Sequence, residues 1–589
     1  MSLNKYYKEE LRFLREMGKE FAEQNPTLSD FFTPGVDPDV DRILEGFAFL
    51  TGKIRQKLDD EFPEIIQGLL QLLWPHYLRA IPAATIIQFE PIAGMIKNVQ
   101  TIPAGVSLDS ISIDGVRCRF RTCYDLELLP FNLTDVHYTI PTGQLPRISL
   151  RLTPMGNIQL HQLTLNHLMI HLFGQPSYWL YLWLSRYVKN VSIVYKPKTK
   201  PDQDLPETRI ALYPDCIEPV GFSKNEALLP YPLQSFEGYR LVQEYFAFPA
   251  KFFFFRIYGL NQINFKEVEN DIEIIVEFSR PLPDSIRLNQ EHIRLNCVPA
   301  INLFDMDADP IRVEHNKAEY RLRPSVSNPT YYQIYSVNKV NGKTQGSAKE
   351  QDYESFYSFR HDLKGGHDKI YYSSHLRENI KSQIMDTYLS FVNSTQTAII
   401  PPSETVDVRT TCINALLPIK LKVGDIREYT DTSPEFATFS NITNVTSEIM
   451  HPFGSEVYWK LLSHISVNYM SLADAESLKA ILALYNFQSK YDQQKSRGNE
   501  LRIHGIQRVL SDSIIKMIQG APVRGLAIKV FFDEKNFDNE GDMFLFASIL
   551  NEFFSLYASL NSFTTLTAIG IHRKEEYKWP LKLGKKKIL

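Results

Sequence analysis

The sequence predicts a multidomain α+β protein, an N-terminal helical segment followed by β-rich mixed domains. Three observations carry this reading. Apolar residues recur every three or four positions through residues 1–80, the helical period, and every second position from about residue 81, the period of half-buried strands. The chain has 589 residues, far more than one hydrophobic core usually serves. Hydrophobic residues make up 44% and charged residues 22%, the balance of a folded chain, so a disordered polypeptide is excluded.

The first helix is read from Tyr7, Leu11, Leu14, Gly18 and Phe21, a 4-3-4-3 stripe on one face, with Lys8, Glu9, Arg12, Arg15 and Glu16 on the others; Pro26 ends it. So narrow a stripe is the pattern of a helix-pairing seam. A second helix spans Asp37 to Glu61. Asp37 is placed to cap it, Pro38 suits its first position, and Asp39 and Asp41 favour its positive end. Its apolar face runs through Val40, Ile43, Leu44, Phe47, Leu50, Ile54 and Leu58. Pro63 opens a third helix, and Pro75 stops it.

Strand patterns follow. Ile111–Ile113 and Val116–Phe120 alternate on either side of Asp114-Gly115, a hairpin signal. Residues 148–152 alternate again. An aromatic helix is expected over Ser177–Lys189, a proline-rich loop over residues 195–207, a helix over Phe236–Phe246, and strands over Lys251–Tyr258 and Ile272–Phe278. Residues 339–370 are polar and glycine-rich and read as an excursion between domains. Helices return at Ser455–Leu462, Leu472–Leu484 and Phe544–Leu560, with a strand over Leu526–Phe532. The expected domains are 1–80, helical and partner-packing; 81–175, β-rich; 176–338, mixed; 339–380, a mobile polar excursion; and 381–589, mixed α+β.

Composition and motifs exclude most chemistry. Lys plus Arg number 64 against 68 Asp plus Glu, a net charge of -4, without the basic excess of a nucleic-acid binder. The N-terminus reads as a charged helix, not a signal core, and no run of 18 apolar residues marks a membrane span. Cys118, Cys123, Cys216, Cys297 and Cys412 form no Cys-x-x-Cys pair and read as reduced, structural thiols. Gly342-Lys343-Thr344 lacks the upstream glycine of a phosphate loop, since Val337 stands there, and no nucleophile elbow or His-Glu-x-x-His occurs. Asp305, Asp307 and Asp309 begin like a calcium loop, but Pro310 occupies the position that needs glycine. His361, Asp362, His367 and His375 have no metal-site spacing and read as loop residues. An enzyme, a hydrolase or metal-dependent one built around His361 and acidic residues, is the alternative function, and a membrane-surface adaptor using the basic tail Lys582–Leu589 is a second one. No catalytic, metal or cofactor site is assigned. Twelve per cent aromatic residues, 37 of them Phe and 30 Tyr, suit large protein–protein contacts.

Longer blocks carry a resemblance. Tyr6–Gly18, Asp37–Leu50, Ile54–Glu64 and Leu73–Arg79 are followed in order by Thr101–Gly105, Cys118–Thr122, Leu229–Pro232, Ser235–Leu241, Glu244–Pro249, Asn296–Phe304, Tyr357–His361, Ser463–Ser466 and Asn561–Phe563. Together they closely resemble the TssF family (also VasA or ImpG) of the type VI secretion baseplate. The resemblance implies a structural wedge subunit like those of contractile-phage baseplates, with no cofactor and no catalytic residues. It implies assembly with TssG and a second TssF copy, with TssE and TssK, and with neighbouring wedges around the VgrG spike. The ring is then the platform for the Hcp tube and the sheath, in the cytoplasm at the inner face of the envelope, without membrane insertion or nucleic acid. On this reading Tyr7, Leu11, Leu14 and Phe21 are candidates for inter-subunit packing, and Ile43, Phe47 and Ile54 are the alternative set.

Overall fold

The computed structural model describes residues 7–17, 38–156, 163, 165–198, 206–232, 235–313, 317–344, 350–356, 370–379, 385–393, 404–450, 474–487, 493–518, 520–558 and 561–584. Two compact units emerge, divided in the chain after Leu78.

The described part of the first unit is helical. Residues 7–17 form one helix. Pro38–Leu73 forms another, 36 residues without interruption, with Asp39 and Asp41 in its first turn. Two helices separated at Pro63 were expected here. Proline removes one N–H and crowds the preceding turn, but a helix with many bonds on either side can carry that loss. Pro75 does end the run, opening a single 3₁₀ turn, Pro75–Leu78.

The second unit is β-rich, and its sheets join segments far apart in the sequence. One six-stranded antiparallel sheet runs in the order Ile426–Glu428, Ser107–Ile113, Val116–Thr122, Cys297–Ile301, Ala84–Pro91, Ala437–Asn441. Its central hairpin turns at Asp114 (φ 51°) and Gly115 (φ 79°), the left-handed pair that the Asp-Gly signal predicts. Asn302 and Asn414 tie the sheet together. Asn302 donates to Asn414 Oδ1 and to the Arg119 carbonyl, both at 2.8 Å, and accepts from the Asn414 N–H at 2.7 Å.

A five-stranded sheet is ordered Thr208–Leu212, Val188–Pro197, Val268–Phe278, Arg147–Pro154, Phe131–Thr139, and a four-stranded one Ile217–Val220, Phe254–Tyr258, His167–Leu172, Ile293–Leu295. The aromatic helix is Ser177–Leu182, continued by a π-helical turn Trp183–Tyr187.

Where the polar excursion was expected, the described residues are strands. Gln333–Thr344 pairs with Glu404–Ile413 and with Glu350–Ser355, which runs parallel to Ile370–Glu378. Their common core includes Ile334, Val340, Tyr353, Tyr372, Leu389, Val406 and Val408. The expected boundaries after residues 175, 338 and 380 are therefore crossed by shared sheets and packing, because pairing joins strands that no local pattern links.

The C-terminal sheet combines a hairpin, Ile506–Ile518 with Ala521–Phe532, and a crossover. Ala521–Phe532 leads through helix Glu540–Tyr557 to the parallel strand Ser562–Gly570. Asn539 caps that helix by accepting from the Asp542 N–H. The helix is buried along most of its length and packs against helix Glu237–Ala247, where Tyr245 and Phe546 stack at 5.6 Å and Tyr239 meets Phe553 at 5.8 Å.

Beneath this contact lies a buried ion cluster. Glu244 accepts from the N–H groups of Leu228 (2.8 Å) and Leu229 (2.9 Å), from Arg240 and from Lys251, and all three charged side chains are buried. Burial opposes the Glu244 carboxylate, yet Arg240 and Lys251 outweigh it and hold its pKa below the usual carboxylate range. Burial lowers Lys251 to about 8, against the pull of Glu244. No described helix is long and apolar enough to cross a membrane.

Candidate partner-binding surface

The strongest candidate is a face of the long helix. Side chains at i, i+4 and i+7 share one side of a helix. Ile43, Phe47 and Leu50 have that spacing and are 70%, 55% and 59% exposed. The opposite side is covered: Leu44 is half-buried, and Ala48 and Gly52 are buried. Phe49 and Leu72 add exposed apolar surface elsewhere on the same helix. Thr51 Oγ1 donates back to the Phe47 carbonyl at 2.7 Å, which spends the one hydroxyl beside the stripe.

The first helix differs. Tyr7, Leu11 and Leu14, the predicted seam, are half-buried within their unit, and its exposed apolar residues are instead Phe13 and Met17. Arg15 approaches Glu45 of the long helix at 4.0 Å, and Arg12 pairs with Glu16 at 3.0 Å. Phe21 lies outside the described residues. Ile54 continues the long helix four residues beyond Leu50. The structure thus brings Ile43 and Phe47 together with Leu50, and separates them from Tyr7, Leu11 and Leu14 in exposure. Leu50, Phe13 and Met17 are exposed as well and are not among the contact residues expected from the sequence. The signal for Leu50 was present in the repeat itself, and Phe13 with Met17 stands at helical spacing.

Other clusters are structurally occupied. Asp533, Glu534 and His572 converge, but Glu534 accepts from the N–H groups of His572 (3.0 Å) and Arg573 (2.9 Å), and Asp533 accepts from the Lys535 N–H while lying 3.1 Å from His572 Nε2. Asp305 accepts from Thr411 Oγ1 at 2.9 Å, a cross-strand link. His375 stacks on Tyr388, 3.4 Å from Glu319. His361 and His367 lie outside the described residues. Burial raises Cys118 and Cys123 to about 12 and Cys216 and Cys412 to about 11, and raises Cys297 further, so all five thiols stay protonated at neutral pH and poorly nucleophilic.

Comparisons with known proteins agree with a part made for assembly. The family model described as type VI secretion system, TssF, matches residues 1–586. The type VI secretion system component TssF1 of Pseudomonas aeruginosa is 28% identical over 632 aligned positions, covering 99% of this chain and 98% of that protein. Among solved structures, the chain is similar to one in the TssK-TssF-TssG baseplate subcomplex of the type VI secretion system, at 29% identity and TM-score 0.76 over 92% of this chain and 98% of that one. It is also similar to a chain in the baseplate complex of that system, at 25% identity and TM-score 0.64 over the full length of both. These relatives are structural components rather than enzymes, and with a family match running almost end to end the chain belongs to the TssF family of type VI secretion baseplate proteins.

Proposed function

We propose that this chain is a wedge subunit of the baseplate, and that the Ile43–Phe47–Leu50 stripe is the surface on which it takes up TssG. One observation carries the assignment of the surface. Three large apolar side chains stand exposed in a row on a helix whose opposite side is covered, and a stripe of this kind marks a docking face. TssK and TssG share a solved subcomplex with the similar TssF chain, and this supports them as partners here. A second copy of the chain, TssE, the VgrG spike and neighbouring wedges complete the proposed assembly, as the platform from which Hcp and the sheath grow, at the cytoplasmic face of the envelope.

Covering each of the three side chains stabilises a complex by about 1–2 kcal/mol, part of the roughly 1.5–3 kcal/mol for full burial. Together they account for roughly a hundred- to ten-thousandfold in affinity. The test is co-expression with the TssG and TssK of the same system. Ile43→Asp with Phe47→Asp should abolish co-purification of TssG while circular dichroism and the thermal midpoint stay native. Native recovery of TssG with that variant would refute the assignment. Leu11→Asp with Leu14→Asp is the companion variant. Loss of TssG there, with the fold intact and the first variant still binding, would move the interface to the first helix.

A further inference from the structure

Among the described residues, a second unpartnered surface lies in the β-rich unit and is independent of the helix stripe. The Ile506–Ile518 strand stands at one edge of the C-terminal sheet, next to Ala521–Phe532. Ala521–Phe532 is joined to Ser562–Gly570 only from Arg524 onward, so the end of the hairpin, where Lys516, Met517 and Ile518 face Val523, Pro522 and Ala521, extends past the third strand. On this arm Ile515 is 71% and Met517 68% exposed. A long apolar edge is a template for another strand, and proteins usually blunt or cover it.

We propose that this edge is an interface between two copies of the chain, paired antiparallel about a two-fold axis through Ile514. Backbone parity permits the pairing. Ile518 and Ala521 close the hairpin across two residues, and bonding alternates along an antiparallel pair. Even-numbered residues therefore bond inward to Ala521–Phe532. Ser511, Ser513, Ile515 and Met517 leave their N–H and C=O groups outward. With the axis at Ile514, Ser513 meets Ile515 of the second copy and Ser511 meets its Met517, so outward groups face outward groups.

The side chains select the same register. Asp512 falls opposite Lys516 of the second copy, and the symmetry repeats that pair. Leu510 falls opposite Ile518, and Ile514 opposite its own equivalent. Moving the axis to Ser513 or Ile515 sets both charges against apolar residues. Moving it to Asp512 or Lys516 brings like charges together, which is unfavourable across strands. Among the described residues, neither Asp512 nor Lys516 has an ion-pair partner within its own chain. The sequence around Ile514 is complementary to itself, as an isologous contact requires.

The experiment uses the full chain in sedimentation velocity across a concentration series. Asp512→Lys or Lys516→Asp each turns two attractive pairs into two repulsive ones and should weaken self-association by roughly tenfold or more. Asp512→Lys combined with Lys516→Asp should restore it, since the pairs re-form with exchanged signs. Ile514→Cys should give a disulfide-linked dimer under mild oxidation, because residues on the axis lie about 4.5 Å apart between Cα atoms, within disulfide reach. Ile515→Cys should not, although Ile515 is highly exposed. Circular dichroism establishes that each variant is folded. A native chain that stays monomeric at high micromolar concentration would overturn the proposal, as would failure of the double exchange to restore a folded single variant. So would Ile515→Cys cross-linking as fast as Ile514→Cys, or dissociation produced by Ile43→Asp with Phe47→Asp in place of the strand variants.

Discussion

Glu448 precedes Ile449, whose N–H and C=O both bond Ile81, at 2.9 and 2.7 Å. Only 5% of Glu448 is exposed, and neither carboxyl oxygen has a hydrogen-bond partner. Burial alone drives its pKa from 4.5 to about 8. The folded chain therefore keeps a proton there that the unfolded chain releases. The stability associated with the neutral carboxyl is fully present below pH 4.5 and is lost as pH rises through 8. Integrated over that interval, the loss is on the order of 4 kcal/mol. Glu448→Gln keeps the shape and removes the titration. Urea unfolding followed by tryptophan fluorescence, with both proteins at pH 5 and pH 8, isolates the effect, since every other titrating group is common to the two. The difference between variant and native stability should move in favour of the variant by a few kcal/mol from the lower pH to the higher. A difference that stays constant within about 0.5 kcal/mol would refute the account, because a carboxyl that ionises without penalty is not held in an apolar site.

Three further outcomes follow from packing. Glu244→Ala strands the charges of Arg240 and Lys251 and the N–H groups of Leu228 and Leu229, so the urea midpoint should fall by the equivalent of about 3–5 kcal/mol. Gly541→Ala places a methyl group 2.1 Å from the Tyr178 carbonyl oxygen, at the contact of two helices, and should lower the thermal midpoint by the equivalent of at least about 1–3 kcal/mol. Asn302→Ala removes bonds to Arg119 and Asn414 inside the six-stranded sheet and should cost roughly 1–3 kcal/mol in the same urea assay.

What the sequence disclosed depended on whether the information was local. Asp114-Gly115 announced its hairpin because two residues set the left-handed turn. The helix Glu540–Tyr557 was legible from its period. The strands between residues 333 and 378 were not, since few of their side chains are buried and their stability comes from pairing with Glu404–Ile413 and with one another. The break expected at Pro63 shows the converse error, a local rule outweighed by the length of the helix around it. The candidate surface was half legible. Period located apolar faces on both helices, but it cannot say which face neighbours cover, and so Tyr7, Leu11 and Leu14 stood ahead of Ile43 and Phe47, the alternative set. The blocks that resemble the family build the core as well as surfaces. Ser235–Leu241 and Glu244–Pro249 hold Arg240 and Glu244 of the buried cluster, and Asn296–Phe304 holds Asn302.

The two uncovered surfaces differ in chemistry, and the difference bears on what each can bind. The helix stripe offers hydrocarbon flanked by Asp39, Asp41 and Glu45, with Arg42 set against Asp39 at 3.7 Å. A second copy meeting it face to face would bring acidic groups against acidic groups, so an unlike partner with a neutral or basic rim fits better. The strand edge carries Asp512 and Lys516 on either side of Ile514, spaced so that a copy of itself answers both. Their responses to salt should diverge accordingly. Exposed ion pairs are screened as ionic strength rises, whereas burial of Ile43, Phe47 and Leu50 is insensitive to it or slightly strengthened by excluded salts. On the proposed assignments, the helix stripe holds an unlike subunit through hydrocarbon while the contact with a like chain stays electrostatically adjustable, a division that follows from where Asp512 and Lys516 sit relative to Ile514.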